Sequence, residues 1–307
     1  MKTTYDLIII GSGPAGMAAS VFASRYELKH LIFGVEQGGQ MVEIYEIENY
    51  LGCPNISGQD LIKKFVEHVK LFGAKIKNES VVSIKKDENN FFELQTSQGV
   101  YQAESVILAM GAHYRKMNIP GEQKFIGKGV SYCATCDATF YKNKIVSVIG
   151  GGNSAAVVAL ELADYAQKVY LVHRGEKISV EPMWMEKLSA NKKVEIISDN
   201  DVLEIKGKDK VEKIILKNTV ENKNFIMVDG VFIEVGTEPG VELAKKLGVE
   251  TDEQDYIKVN ADMSTNVANI FAAGDITTGS NKFRQVLLAA AEGALAANGA
   301  YKVLKLK

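Results

Sequence analysis

The chain has three cysteines, one tryptophan and four histidines in 307 residues, and each scarcity narrows what it can be. Three cysteines, unevenly spaced, cannot build the disulfide framework of a small secreted domain. A structural zinc site wants about four Cys or His ligands. His30, His68, His113 and His173 are scattered and give, with Cys53, no second ligand pair, so no metal is expected. Arginine is almost absent, confined to Arg25, Arg115, Arg174 and Arg284, which makes each guanidinium worth following. A formal net charge of -2 offers no basic surface to a phosphate backbone, which argues against a nucleic-acid partner. No apolar run approaches the roughly 18–20 residues that span a bilayer, and residues 1–6 lack the charged, apolar and small-residue succession of a leader. The expected compartment is cytoplasmic, with no membrane partner.

What the chain does have is glycine in two ordered clusters. Residues 6–10 form a short apolar run of the kind a doubly buried parallel strand shows. Gly11-Ser12-Gly13-Pro14-Ala15-Gly16 follows at once, and a helical stretch, 17–24, comes next. In that setting Gly11 permits a tight turn, Gly13 lets the backbone approach a pyrophosphate and Gly16 allows helix and strand to pack closely. The helix N-terminus adds its positive dipole end. After a second strand at 31–33 come Gly34, Val35, Glu36 and Gln37. Glu36 stands about twenty positions beyond Gly16, where an acid accepts from ribose hydroxyls. Gly38-Gly39-Gln40 offers a further close backbone approach, suited to a ligand longer than the adenosine half of a dinucleotide.

The pattern then recurs. A strand at 144–149 leads into Gly150-Gly151-Gly152-Asn153-Ser154-Ala155 and a helical stretch at 156–165, a second dinucleotide unit and a far more specific signal than either loop alone. A strand at 168–172 ends in His173-Arg174-Gly175-Glu176-Lys177, where a cofactor's 2′ position is read. Arg174 and Lys177 suit a 2′-phosphate, whereas Glu176 suits a free hydroxyl; both readings stay open. Just ahead of this unit lies Cys133-Ala134-Thr135-Cys136-Asp137. Two cysteines two residues apart can close a small disulfide, and an adjacent acid can handle the proton that thiol exchange requires. In a reducing compartment such a pair is read as redox-active.

A third signal lies near the C-terminus, where a strand at 269–273 ends in Gly274-Asp275. Arg284-Gln285-Val286 then opens a long helical run to about 304. Asp275 is placed to hold a ribityl hydroxyl, and the helix N-terminus to face the pyrimidine edge of an isoalloxazine, where negative charge collects on reduction. The alanine-rich stretch 289–297 is read as close helix packing and Trp184 as core. Residues 206–213 read as a solvated turn, Cys53 as an incidental thiol, and His113 and Tyr114 as packing.

GSGPAG, residues 36–40, Glu46-Ile47-Glu48-Asn49-Tyr50, CATCD, GGGNSA, AAGD and FRQ occur in that order along essentially the whole chain, and together they resemble the low-molecular-weight thioredoxin reductases. The resemblance implies an α/β fold of two Rossmann-like, three-layer nucleotide-binding domains, the second inserted into the first. The FAD-binding domain would be 1–115 with 242–307, and 116–241 would bind the nicotinamide nucleotide and carry the CxxC. It further implies a homodimer that passes electrons from NADPH or NADH through FAD to a thioredoxin or thioredoxin-like protein. Carried over residue by residue, Cys136 faces the flavin, Cys133 attacks the protein substrate and Asp137 is the acid/base. FAD is held by Gly11 to Gly16, Val35 to Gln40, Asn49, Val82, Gly111, Gly274, Asp275, Arg284, Gln285 and Val286. The nicotinamide nucleotide is held by Gly150, Gly152, Asn153, Ser154, Ala155, His173 and Arg174. A rotation of the inserted domain would present nicotinamide and disulfide to the flavin in turn, on hinges near 116–121 and 235–240 with Pro120 and Pro239.

The chain departs from this pattern at one place. Where NADPH-using members carry a second and a third arginine, it has Gly175 and Ser179. Two guanidinium contacts are lost, at about 1.5–3 kcal/mol per charged hydrogen bond, so NADH becomes a candidate donor. A ferredoxin or a deazaflavin is a further alternative, as is a redox sensor without turnover. A peroxiredoxin reductase of this scaffold carries an extra N-terminal module, and a ferredoxin–NADP oxidoreductase lacks CxxC.

Overall fold

The computed structural model describes residues 4–44 and 47–306; Glu46, part of the expected motif at 46–50, lies outside them. The chain divides into two compact units, Met1–His113 with Glu238–Lys307, and Tyr114–Thr237.

The first unit opens with β1 (Thr4–Ile10), α1 (Pro14–Arg25) and β2 (His30–Phe33). Leu7, Ile8 and Ile9 are fully buried, as an uninterrupted apolar run at the centre of a parallel sheet must be. α1 starts on a proline, whose missing N–H costs nothing in a first turn. α2 (Gly58–Leu71) is capped by Ser57, whose Oγ accepts from the Asp60 amide at 3.1 Å. β3 (Ile76–Lys77), β4 (Val81–Lys86), β5 (Phe92–Thr96) and β6 (Val100–Leu108) complete the order β3-β2-β1-β6-β5-β4. β2, β1 and β6 run parallel, and β4 and β5 are an antiparallel hairpin on the flank.

The chain leaves through β7 (Ala112–Tyr114). The second unit contains α3 (Glu122–Phe125), β8 (Val130–Ser131), α4 (Ala134–Asp137), β9 (Ile145–Ile149), α5 (Asn153–Tyr165), β10 (Lys168–Val172), α6 (Pro182–Ala190) and β11 (Val194–Ile197). β12 (Val202–Lys206), β13 (Lys213–Val220) and β14 (Lys223–Met227) form a separate antiparallel sheet, and β15 (Gly230–Ile233) completes a parallel sheet of order β11-β10-β9-β15-β8. The chain returns through β16 (Thr237–Pro239), which pairs with β7. It ends in α7 (Glu242–Lys246), β17 (Ile270–Ala272), which adds to β6 in parallel, and α8 (Val286–Lys305). Each unit thus has a parallel sheet at its centre with helices packed on it and antiparallel strands beside it, the expected α/β class.

The stretch 116–121, expected as a hinge, is fastened into the second unit. Glu122 is buried, and its carboxylate accepts from the Met117 amide at 2.9 Å, the Ile119 amide at 3.3 Å and the Tyr132 hydroxyl at 2.5 Å. The Pro120 carbonyl accepts from the Ile205 amide at 2.9 Å. The pattern of Pro and Gly in that stretch reflects a turn held by a buried carboxylate.

The expected helix packing at 289–297 is present. α1 and α8 lie against each other, and a side chain on Gly293 would stand 2.0 Å from the Ala15 carbonyl oxygen.

Candidate active site

In the first unit the turn after β1 is shaped by sterics. Gly11 has φ +117°, and a Cβ there would meet the Ala109 carbonyl oxygen at 2.0 Å; a Cβ on Gly16 would meet the Gly11 carbonyl oxygen at 1.9 Å. Gly13 differs, because the nearest atom to its would-be Cβ is 3.9 Å away. Two glycines close the turn and one leaves a cradle open, the division of labour that a pyrophosphate requires.

The segment after β2 docks on this turn. Ser12 Oγ donates to the Glu36 carbonyl at 2.9 Å, and the Gly38 amide donates to the Ser12 carbonyl at 2.8 Å. Val35, Glu36 and Gln37 keep their side chains exposed. Gln40 Nε2 donates to the Ala112 carbonyl at 2.7 Å, next to Gly111, and Asn49 Nδ2 donates to Gln285 Oε1 at 2.8 Å across 236 positions of sequence. A Cβ on Gly274 would stand 3.0 Å from that of Ala15. Residues expected from six separate stretches are thus joined pairwise by close contacts. Val82 is not drawn in by any described contact: on β4, Val81 enters the core and Val82 is exposed.

The sequence reading missed the acid that builds the C-terminal part of this site. Glu292, in the alanine-rich helix, is 4% exposed and accepts from the Gly274 amide at 2.8 Å, Thr277 Oγ1 at 2.9 Å and Ser280 Oγ at 2.7 Å. These bonds fix the turn that carries Asp275. Burial raises the Asp275 pKa above the usual carboxylate range, Arg284 opposes the rise and Glu292 adds to it.

Beyond that turn Ser280, Asn281 and Lys282 all take left-handed φ values of 47°, 50° and 57°, a conformation that L-residues hold only under local constraint. Lys282 pairs with Asp252, donates to Gln254 Oε1 at 2.8 Å and lies 4.9 Å from the Tyr256 ring centre. The Arg284 guanidinium stacks 4.3 Å from the same ring. Arg284 Nη2 is buried with no hydrogen-bond partner among the described residues. A buried, unanswered guanidinium N–H fits a bound group that brings its own acceptors.

In the second unit Cys133 and Cys136 form a disulfide with a Cα–Cα distance of 5.4 Å. Cys133 precedes α4, its amide donates to Ser131 Oγ at 3.1 Å, and its Sγ accepts from the Cys136 amide at 3.1 Å. Cys136 is exposed, and Cys133 and Asp137 are half-buried. Tyr141, close behind, has its hydroxyl pKa pushed up to about 12 by burial, with Asp137 and Asp229 adding to the rise.

The second glycine loop follows β9. A Cβ on Gly150 would meet the Glu234 carbonyl oxygen at 2.2 Å, whereas one on Gly152 has nothing within 4 Å. His173 is 5% exposed beneath this loop, its Nε2 2.9 Å from Ser198 Oγ, and burial lowers its pKa. Burial thus disfavours its charged form. Arg174, Glu176 and Lys177 are exposed. The segment that follows is tied down: the Ser179 amide donates to the Gly151 carbonyl at 2.8 Å. The Asn153 side chain accepts from the Glu181 amide at 2.9 Å and donates to Glu181 Oε1 at 3.0 Å. Trp184 is half-buried against the α5 cluster. Among the described residues no group of His, Cys, Asp or Glu could hold a metal ion, and no helix is long and apolar enough to cross a membrane.

Residues 5–293 match the family model of the pyridine nucleotide-disulphide oxidoreductases, and the chain belongs to that family. It is 41% identical over 305 residues to a thioredoxin reductase of Listeria innocua, covering 98% of this chain and 94% of the relative. A crystal structure of Lactococcus lactis thioredoxin reductase in the FR conformation matches with a TM-score of 0.93 at 37% identity, over 99% of this chain and all of that one. A ferredoxin-flavin thioredoxin reductase of Clostridium acetobutylicum matches at 36% identity and a TM-score of 0.54, over 99% of both chains. Within the family the chain falls among the low-molecular-weight thioredoxin reductases, oxidoreductases that act on a disulfide.

Proposed function

We propose that the chain reduces the disulfide of a thioredoxin-like protein through Cys133 and Cys136, with FAD bound by 1–115 and 242–307 and a nicotinamide nucleotide by 116–241. The observation that carries this reading is the Cys133–Cys136 disulfide, with Cys136 exposed and Asp137 adjacent, in a chain with two glycine cradles. Bound FAD would supply the two-electron carrier between the nicotinamide and the disulfide.

Every other role falls to side chains and backbone of the chain itself. Gly11 to Gly16 would cradle the pyrophosphate, Val35 to Gln40, Val82 and Gly111 would line the remainder of the ligand, and Asp275 would accept from the ribityl chain. Asn49 and Gln285, already bonded to each other, would orient the ring edge, with Arg284 and the Val286 amide at the α8 N-terminus facing the developing negative charge. Gly150, Gly152, Asn153, Ser154, Ala155 and His173 would hold the nicotinamide nucleotide, with Arg174 as the surviving cation near its 2′ position. Cys133 would attack the partner's disulfide, Cys136 would resolve the mixed disulfide, and Asp137 would exchange the proton. Cys136→Ser is expected to bind FAD normally and to lose protein-disulfide reduction; continued turnover on thioredoxin would refute the assignment.

NADH is expected to serve at least as well as NADPH, because Gly175 and Ser179 stand where charged donors to a 2′-phosphate would be needed. A hundredfold NADPH advantage at equal concentration would rule this out. A second reading has a different donor altogether. It draws support from the tethering of Ser179 and Glu181 to the second glycine loop and from likeness to a ferredoxin-flavin reductase. Bleaching of the purified flavoprotein by reduced ferredoxin, and by neither nicotinamide, would establish it.

A further inference from the structure

Glu161 is a buried carboxylic acid near the redox turn that the scheme above leaves idle. It lies on α5, 4% exposed, and α5 packs on α4. Thr135, the residue between Ala134 and Cys136, donates its hydroxyl to Glu161 Oε2 at 3.4 Å. No other hydrogen bond reaches this carboxyl among the described residues, so an ionised Glu161 is poorly compensated.

We propose that Glu161, reaching Thr135 from beneath the redox turn, takes up a proton when the Cys133–Cys136 bond opens and so lets one of the two sulfurs remain a thiolate for exchange. The proposal rests on the reading that this pair exchanges with a protein disulfide. It makes Glu161 a positioning residue: it holds charge and proton, and touches neither sulfur in any described contact.

Two consequences of that geometry point the same way. Burial lifts the Glu161 pKa to about 7, Asp164 one turn along raises it further and the Thr135 bond opposes. Titratable groups on the neighbouring elements are Asp137 and Tyr141 beside the turn, Glu186 and Lys187 on α6, and Lys168, Tyr170 and Glu195 on the strands. Lys193 also reaches α5, where its Nζ donates to the Ala163 carbonyl at 2.7 Å. The second is reciprocal: a thiolate forming close by would raise the pKa of a nearby carboxyl, since two like charges in a low-dielectric site suppress each other's ionisation.

The step balances with a dithiol reductant. Dithiothreitol breaks the S–S bond, is oxidised to its cyclic disulfide, and delivers two electrons and two protons. One proton makes one sulfur a thiol. The other passes to the Glu161 carboxylate, and the second sulfur stays a thiolate, the form that attacks a disulfide. Net charge at the site is unchanged.

The test reduces the full-length flavoprotein with a limiting amount of dithiothreitol in weakly buffered solution near pH 8, where Glu161 begins ionised, while a pH indicator counts protons. The wild type is expected to release about none to solvent and Glu161→Gln about one per disulfide opened. Equal release from both overturns the proposal. Because the variant could fail to fold, infrared difference spectra of the wild type on reduction give a second readout. A protonated-carboxyl band appearing with the thiols supports the assignment, and its absence overturns it. If reduction frees no alkylatable thiols at Cys133 and Cys136, or the reduced pair does not exchange with oxidised thioredoxin, the underlying reading falls and this one with it.

Discussion

Burial and charge conflict at Glu161, and the conflict has a measurable sign. Its pKa of about 7 in the folded protein lies above the ordinary glutamate value of 4.5. An acid held up in this way costs nothing below the lower value, and stability is lost as pH rises through the interval, fully so above about 7. Glu161→Gln escapes that loss. Relative to wild type it is expected to gain up to about 3 kcal/mol between pH 4.5 and 7.5, read as a widening gap in urea midpoints; a constant gap would mean the carboxyl titrates alike in the folded and unfolded states and would refute the shift. Glu292 differs in its partners, being a buried carboxyl that accepts from three donors. Removing it strands those donors, so Glu292→Ala is expected to cost about 3 kcal/mol and to weaken FAD retention, both visible in a thermal melt followed by flavin fluorescence.

Among the elements, α8 has one face set by α1. Gly293 is where the two backbones come closest, and α1 begins at the glycine turn. Gly293→Val is expected to destabilise the protein by about 2 kcal/mol or more, as overpacking does, and to loosen FAD by displacing that turn. Unchanged flavin affinity in a folded variant would separate packing from binding. The segment after β10 makes a different prediction. Gly175→Arg with Ser179→Arg places two guanidinium groups where the 2′ position is read, and should shift the NADPH/NADH ratio of kcat/KM by at least tenfold toward NADPH, since about 1.4 kcal/mol is a factor of ten. Breaking the Ser179 amide bond to Gly151 is not required, because the backbone makes it.

For the molecule as a whole, the expectation carried by the resemblance is a homodimer. Sedimentation equilibrium should give a particle of twice the 33.6 kDa chain mass, and a monomer at micromolar concentration would contradict it. The two units were foreshadowed by the repeated strand, glycine turn and helix. At their connection, residues 116–121 with Pro120, expected near a hinge, are tied to the second unit by Glu122. Proline and glycine mark a change of direction, and only the buried carboxylate shows which body the turn belongs to.

The sequence by itself determined what local spacing can encode. Glycine turns between strand and helix, an acid about twenty residues on and two cysteines two residues apart are short-range patterns, and their physics is complete within a few residues. Folding decided what depends on distant partners. Asn49 meets Gln285, Gln40 reaches Ala112, and Arg284 lies on Tyr256 with one N–H unanswered. Glu161 and Glu292 sit on helices whose composition gives no sign of an acid pointing inward. A helical position faces core or solvent only once its neighbour is fixed, and that packing turns both carboxylates from surface charges into buried groups with work to do.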